Sequence, residues 1–577
     1  VKIASWRIRD DVGLLLLFGI SLPIKLAAAQ NMPWDIDIVP VLSRSFVWLQ
    51  GGDFPAYGTL SSVAAYNLPM LVWLHLPALF VTRHAESAIL LTMLSFNLIS
   101  TIAIYCAGKS MFGSRSGLIA AVLFTVSEVG ISSSYTAWAQ LLLPGFYALT
   151  LLFLWQWCQY NKGYYLALAG IVATAAFMTH FSAILLYPAM LIFALLARAR
   201  WHGRWLIIGA AAVLLMFAPY LAFQIERKFV DVRAFVTQER LVSPEVMAQY
   251  EALKAESQAQ RTAAQADNQV EDTAAAVPQA LGQGTAPSRL QRAFNYALSV
   301  PGFLWQGSNR VFQMNFAGLS QMSPVLVAIG RGLYAALRLI FWLSAIGVIW
   351  QLVQHLRTPG IKRASWQQFS ETLISTEAGR ACLLLLFGFS ILCGFVLTRA
   401  VADPSYLMGL FSVQYLLLAS ALRRIGRLHK AGLIAVLIVL IAYAAVNTTD
   451  RAARLLQHDD SAYSRFNVSI YRHVAAATDF IAADWSGENQ ITVAYDIMPQ
   501  MRNLWWVPAW NHIDDSYRMG MNFDFLLALH HGLHNDNTDP IGLVADADYW
   551  VVYEPGLDRI DWADYEVAQF GSIYVLK

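Results

Sequence analysis

Apolar residues along this chain gather in long blocks instead of alternating or recurring at helical spacing. In order the blocks are Val12 to Ala29, Ile89 to Gly108, Gly117 to Ser133, Leu141 to Trp157, Tyr164 to Thr179, Ser182 to Ala197, Trp205 to Phe223, Val325 to Val353, Ala381 to Thr398, Tyr406 to Leu422 and Ala431 to Val446. Each has about the length an α-helix needs to cross a bilayer, and a helix is the form that satisfies its own backbone hydrogen bonds in lipid. The pattern predicts a polytopic α-helical membrane protein with about 11–13 transmembrane helices. The first block follows Lys2, Arg7 and Arg9 and ends in Ala27-Ala28-Ala29, as a signal peptide would, but Pro23 and Lys25 interrupt it and many blocks follow. It reads as a retained signal-anchor helix.

A further run, Ala64 to Val81, is broken by Pro69 and Pro77 and holds His75. Whether it crosses sets the side of everything downstream, and the positive-inside rule decides. If it does not cross, the short loops holding Lys109 and Arg115, Lys162, Arg198 to Arg204, Arg357 to Arg363, and Arg423 to Lys430 all share the cytoplasm with the N-terminus. It is therefore placed as a partly inserted or interfacial helix on the outer side. The outer side then holds a large first loop, 30–88, a long loop, 224–323, and everything after Asn447. Within the long loop, 238–288 is rich in Ala, Gln and Glu and nearly free of aromatics, a flexible composition. The division expected is a membrane module, 1–447, and a small C-terminal α/β extracytoplasmic domain, 448–577, with strands near Gln490 to Tyr495, Tyr549 to Tyr553 and Tyr565 to Leu576. The location expected is a cell membrane, inner or plasma.

Composition agrees with this placement. Of 577 residues 57% are hydrophobic and only 14% are charged, more apolar surface than a soluble domain can bury. Forty basic residues nearly balance 38 acidic ones, so no nucleic-acid partner is implied. Cys106, Cys158, Cys382 and Cys393 lie inside apolar blocks, as small hydrophobes.

The strongest chemical constellation is Trp34-Asp35-Ile36-Asp37, just outside the first block, followed by Gly51-Gly52-Asp53-Phe54-Pro55 and Tyr66-Asn67-Leu68-Pro69. Two carboxylates at i and i+2 can act as a general base, bind a divalent ion, or simply be solvated. A divalent cation is the one cofactor the pattern admits. His530, His531, His534 and Asp536 have a spacing that metals use, but a solvated face is the favoured reading.

These motifs resemble the GT-C glycosyltransferases of the protein O-mannosyltransferase and aminoarabinose-transferase type. Further points of likeness are Gly108 to Gly113, Tyr135-Thr136-Ala137-Trp138, Thr179-His180-Phe181-Ser182-Ala183 leading to Leu185-Leu186-Tyr187-Pro188, and Pro404-Ser405-Tyr406-Leu407. The likeness covers roughly the first 230 residues well and the later blocks loosely. It implies a polyprenyl-phosphate sugar as donor, inversion at the anomeric carbon, and Asp35 or Asp37 as the base for a lipid, glycan or protein acceptor. The departing phosphate needs cations, and the candidates are Arg44, Arg83, His84, Arg310 and Arg399, with Arg399 favoured because it directly follows Val396-Leu397-Thr398. His180, Tyr66 and Tyr406 are the candidate sugar or phosphate contacts. The chain departs from the family at Asn67, where a Lys is common, at Gln140, where a second acid sometimes stands, and at Ser405, where His is common. A transporter or flippase of a lipid-linked or amphipathic solute is the alternative, and a silent scaffold the third. The blocks are poor in charge and show no repeat, which counts against transport.

The alternating basic loops generate a first prediction. A cysteine introduced near Asp558 should react with an impermeant maleimide in intact cells. Labelling only after permeabilisation would reverse the predicted orientation.

Overall fold

A computed structural model describes residues 8–34, 38–59, 66–197, 201–237, 323–357, 366–398, 407–428, 430–457, 469–487, 489–496, 522–535, 547–553, 565–571 and 573–577. The chain is a multi-pass, mostly helical membrane protein. Its helices are α1 (Ile8–Ala29), α2 (Val39–Leu49), α3 (Met70–Thr82), α4 (Ala85–Phe112), α5 (Ser114–Thr125), α6 (Glu128–Ser132), α7 (Ala139–Tyr160), α8 (Gly163–Thr179), α9 (Leu186–Ala197), α10 (Gly203–Glu226), α11 (Val230–Thr237), α12 (Pro324–Arg357), α13 (Trp366–Ser375), α14 (Glu377–Thr398), α15 (Leu410–Leu428), α16 (Lys430–Gln457), α17 (Tyr471–Asp484) and α18 (Asn522–Leu526).

Among the described residues seven helices are long and apolar enough to cross a membrane: α1, α4, α7, α10, α12, α14 and α16. This is fewer than the eleven or more predicted, and each difference has a local cause. The block Gly117 to Ser133 stops at Thr125 because serines divert the backbone. Ser127 Oγ accepts from Gly130 N at 2.9 Å and donates to the Phe124 carbonyl at 2.6 Å, and Ser134 Oγ donates to the Ile131 carbonyl at 2.6 Å. Short polar side chains that bond nearby backbone compete with helix continuation. Between α8 and α9 a 3₁₀ turn, Phe181–Leu185, intervenes, capped by His180. Helix α15 carries Arg423, Arg424 and Arg427 in its last turns. The run Ala64 to Val81 forms the 13-residue α3, about 20 Å long and too short for the hydrocarbon layer. Helix α2, before it, and the amphipathic α13 were not anticipated.

Helix α4 is the central post, packed by α3, α5 and α7, while α7 also meets α8, and α15 meets α5, α7 and α16. Where α4 crosses α5, a Cβ on Gly108 would stand 2.8 Å from the Gly117 Cα, so the two backbones touch. Small residues allow this approach between helices in lipid.

Polar groups buried near one end of these helices converge. Lys25 of α1, 1% exposed, donates from Nζ to Asn97 Oδ1 of α4 at 2.6 Å. Asn97 Nδ2 in turn donates to the Gly130 carbonyl at 2.7 Å and to Ser133 Oγ at 2.8 Å. Alongside, Arg451 of α16 donates to Tyr135 Oη at 3.0 Å and Ser132 Oγ at 2.8 Å and is ion-paired with Glu128. The reversal between α5 and α7 is thus clasped by α1, α4 and α16.

The C-terminal domain packs α17 against β7 (Val567–Phe570) and β8 (Ile573–Leu576). These strands join β4 (Val493–Asp496) and β6 (Tyr549–Tyr553) in a sheet of order β4-β6-β8-β7, with β4 parallel to β6 and the other pairs antiparallel, while β3 (Gln490–Ile491) pairs in parallel with β5 (His534–Asn535). A separate antiparallel pair joins β1 (Pro33–Trp34), right after α1, to β2 (Ser469–Ile470), with Pro33 opposite Ile470 and Trp34 opposite Ser469. Tyr471 N continues the ladder to the Met32 carbonyl at 2.9 Å.

Breaking the Lys25–Asn97 contact should be costly because it leaves an ammonium buried without its acceptor. Asn97→Ala is expected to destabilise by roughly 3 kcal/mol, read as a fall in Tm in detergent, and Lys25→Met combined with Asn97→Leu should recover part of it. An unchanged Tm for Asn97→Ala would refute this role.

Candidate functional site

The residues on both shoulders of the acidic motif are buried. Trp34 is fully buried, its ring 5.1 Å from Tyr471 edge-on and 6.1 Å from Phe525, stacked. Ile38, on the other side, is 3% exposed and opens α2, whose Phe46 meets Phe525 edge-on at 6.0 Å. Asp35 and Asp37 themselves lie outside the described residues, as do Arg310, Arg399 and Tyr406. Thr398, the last residue of α14, immediately precedes Arg399.

Beyond α2 the chain turns through Gly51, at φ +94°, a backbone state glycine adopts without a Cβ penalty. Phe54 then packs on Trp73 of α3 at 5.7 Å, and Trp73 Nε1 donates to the Pro55 carbonyl at 2.8 Å. The Gly-Asp-Phe-Pro turn is thereby docked on α3, with the Asp53 side chain left exposed.

From this turn the chain enters a cluster of aromatic rings and guanidiniums. Arg44 of α2, only 5% exposed, lies with Cζ 4.0 Å from the Tyr57 ring centroid and 5.4 Å from that of Tyr66. Arg227, just past α10, places its Cζ 5.2 Å from the same Tyr66 ring and 5.4 Å from Phe223. Tyr57 stacks on Phe223 at 4.2 Å. Aromatic faces stabilise desolvated cations, so two positive charges are held against one set of rings. Asp231, fully buried, ties the group together. Its carboxylate accepts from Arg227 Nε at 2.7 Å, Gln224 Nε2 at 3.0 Å and Tyr66 N at 3.2 Å. Tyr220 Oη donates to the Tyr66 carbonyl at 3.1 Å.

Tyr66 is therefore a wall of this cluster. His180 stands at its edge, two residues beyond Met178, which packs with Tyr220 and Leu68. His180 Nδ1 accepts from Ser182 N at 3.2 Å, and its Nε2 lies 3.2 Å from the Gln140 side-chain amide nitrogen. Its structural role is a helix cap. Arg83 is exposed, closes α3 in a left-handed conformation at φ 52°, and lays its guanidinium 5.5 Å from the Phe80 ring. His84 caps the start of α4 and stacks on His530 at 4.3 Å. Neither Arg83 nor His84 joins the cluster around Tyr66 among the contacts described.

Sequence reading missed Arg227, Asp231 and Tyr57. The spacing of Arg227 and Asp231, i and i+4 past an apolar block, was a usable signal, but the segment was read as the start of a long loop. Glu128 was missed as well, being hidden in what read as a membrane block. His531 Nε2 lies 2.9 Å from Asp479 Oδ1. Among the described residues no group of three or more His, Cys, Asp and Glu is arranged to hold a metal.

Residues 67–223 match the family described as dolichyl-phosphate-mannose-protein mannosyltransferase. No curated protein matches the chain. Among solved structures, ArnT from Cupriavidus metallidurans bound to undecaprenyl phosphate is similar at a TM-score of 0.53 and 11% identity, covering 97% of each chain. Its apo state is similar at a TM-score of 0.50 and 12% identity, again over 97% of each chain. The chain shares its fold with these ArnT structures.

The His84–His530 stack generates a pH prediction. Burial first, and then the His84 and His531 imidazoles, push His530 down to about 4, against a weaker upward pull from Asp479. Above pH about 6.5, the ordinary histidine value, folded and unfolded forms are both neutral and the contact is at full strength. As pH falls from there towards 4, the unfolded chain binds a proton the folded one refuses, and stability is lost. Tm should therefore fall more steeply over this window in the native chain than in His530→Gln. Parallel Tm profiles would refute the assignment.

Proposed function

We propose that this chain transfers a sugar from a polyprenyl-phosphate donor to an acceptor hydroxyl on the outer side of the membrane, with inversion. The observation that carries the reading is the burial of the residues on either side of the acid pair. Trp34 and Ile38, which bracket Asp35 and Asp37, are both buried, and α2 leads directly from Ile38 to Arg44 in the guanidinium cluster. The shared fold with ArnT, whose structure was solved with undecaprenyl phosphate, supports the donor class. The match of residues 67–223 to a dolichyl-phosphate-mannose-protein mannosyltransferase family supports it independently.

In this reading Asp35 or Asp37 takes the proton of the acceptor hydroxyl as its oxygen attacks the anomeric carbon. The bond from that carbon to the phosphate oxygen breaks, and polyprenyl phosphate departs with the electron pair. The protein must then position a base and meet the charge growing on the phosphate. Arg44 and Arg227, held on tyrosine faces, are assigned that charge, together with Arg399 at the mouth of α14. Asp231 neutralises part of the pair and fixes the Arg227 fork. Arg83 and His84 take structural roles, as an interfacial anchor and as a contact to the C-terminal domain. His180 and Tyr66 position the aromatic wall, and Tyr406 remains assigned to the donor side. The sugar is a hexose or pentose, and a divalent cation is the one cofactor this reading admits.

The test is release of polyprenyl phosphate from a panel of polyprenyl-phosphate sugars. Asp35→Asn or Asp37→Asn should lower turnover by about 10²- to 10⁴-fold, the usual contribution of a general base, with donor affinity kept. Arg44→Gln, Arg227→Gln and Arg399→Gln should instead weaken donor binding. Turnover at the native rate by both amide variants would favour the transporter reading.

A further inference from the structure

At the far end of α4 from His84 lies a second polar site. Helix α4 has 28 residues, about 42 Å of rise, so this site is separate from the cluster around Tyr66 and independent of the function proposed for it. A cavity of about 410 Å³ opens where the ends of α4, α7, α14 and α15 meet, within the range of small-ligand sites, about 300–1,000 Å³. Lys109, Arg380, Arg423 and Arg427 line it, with Glu377 the one carboxylate.

That carboxylate is already committed. Glu377 accepts from Arg424 Nε at 3.2 Å and Ser420 Oγ at 3.3 Å, and lies 3.6 Å from Arg427 Nη1. Arg380 spends Nη1 on the Ile374 and Ser375 carbonyls, at 3.1 and 3.0 Å, while its Nε is buried with no hydrogen-bond partner among the described residues. Arg423 reaches Ser116 Oγ only at 3.5 Å from Nη1, and its Nε is likewise buried without a partner among them. Gly113, at φ +94°, lets the Arg423 guanidinium lie against the backbone, since a Cβ there would stand 3.1 Å from Nη1. Two guanidiniums with unmatched N–H groups thus share a cavity whose positive charge exceeds its negative charge.

We infer that this cavity binds a phosphate group, held by Arg380 and Arg423 with Lys109 adding charge. A phosphate oxyanion offers several acceptors and suits the planar guanidinium fork, which can bond two of its oxygens at once. The cavity also has apolar lining in Trp155 and Ile374, and α13, an amphipathic helix, packs beside it on α14 and α9. That places it at the level of lipid headgroups, so the phosphate comes either from an anionic phospholipid or from a free phosphate in the adjoining water.

The two sources separate in experiment. The full chain is titrated with inorganic phosphate by calorimetry in phosphatidylcholine nanodiscs. Separately, native mass spectrometry in detergent compares phosphatidylglycerol with phosphatidylcholine of the same acyl chains. Saturable binding of at least one phosphate probe is expected. Retention of phosphatidylglycerol alone identifies a lipid headgroup, and binding of inorganic phosphate, alone or as well, identifies an open phosphate site. Arg380→Gln with Arg423→Gln should weaken the bound probe by about tenfold or more, and the two Lys replacements should restore part of it. If the double variant does not fold, Arg423→Gln alone, which loses only the long Ser116 contact, carries the comparison. Absence of saturable binding by the native chain, or native affinity in a folded Gln variant, overturns the inference.

Discussion

An ammonium group placed inside a membrane helix has to find an acceptor within reach of its own stem, and in this fold that demand organises the helices around it. Lys25 meets Asn97, and Asn97 has one amide left to spend on the reversal between α5 and α7, through Gly130 and Ser133. The cost of an unsatisfied charge in a medium without water is large enough to dictate geometry. Gly130 is held so close to the Phe124 carbonyl that a side chain there would collide with backbone. The reversal has therefore one conformation available, and α7 starts where that conformation points it.

From this clasp the end of the protein that carries the candidate site is built in two directions. Helix α7 delivers Gln140 to His180, whose cap sets the break between α8 and α9. Arg451, bound to Glu128, Ser132 and Tyr135, fixes α16. That helix leads the chain toward the C-terminal domain, and the domain returns to Trp34 through the pairing of β1 with β2. Trp34, beside the acid pair, is held by contacts with elements that are remote in sequence.

The legible part of this architecture was its apolar blocks, because burial in lipid writes itself into composition over twenty residues at a time. Helices α4, α7, α10 and α12 fall where such blocks predict them. What defeated block reading was the short polar side chain. Ser127, inside Gly117 to Ser133, and Ser134, just past it, looked tolerable beside a membrane helix, yet they bond nearby backbone and end the helix. Helix α2 escaped notice since its 11 residues carry Ser43, Arg44 and Ser45 in the middle, all buried among other elements. The cage around Arg44 was illegible for a different reason. Tyr57, Tyr66, Phe223 and Arg227 come from separate segments, and nothing local in the sequence states that they meet. Asp35 and Asp37 were conspicuous because two acids beside a tryptophan at a membrane exit stand out in any composition.

The pairing of Pro33–Trp34 with Ser469–Ile470 also sets an order of events during synthesis. The membrane helices emerge and insert one after another, and most can pack as they arrive. The loop carrying the acid pair cannot settle in the same way, because the strand that pairs with Pro33–Trp34 is Ser469–Ile470, more than 400 residues further along the chain. A nascent chain thus carries Trp34 without its strand partner until Ser469–Ile470 has been made and has folded.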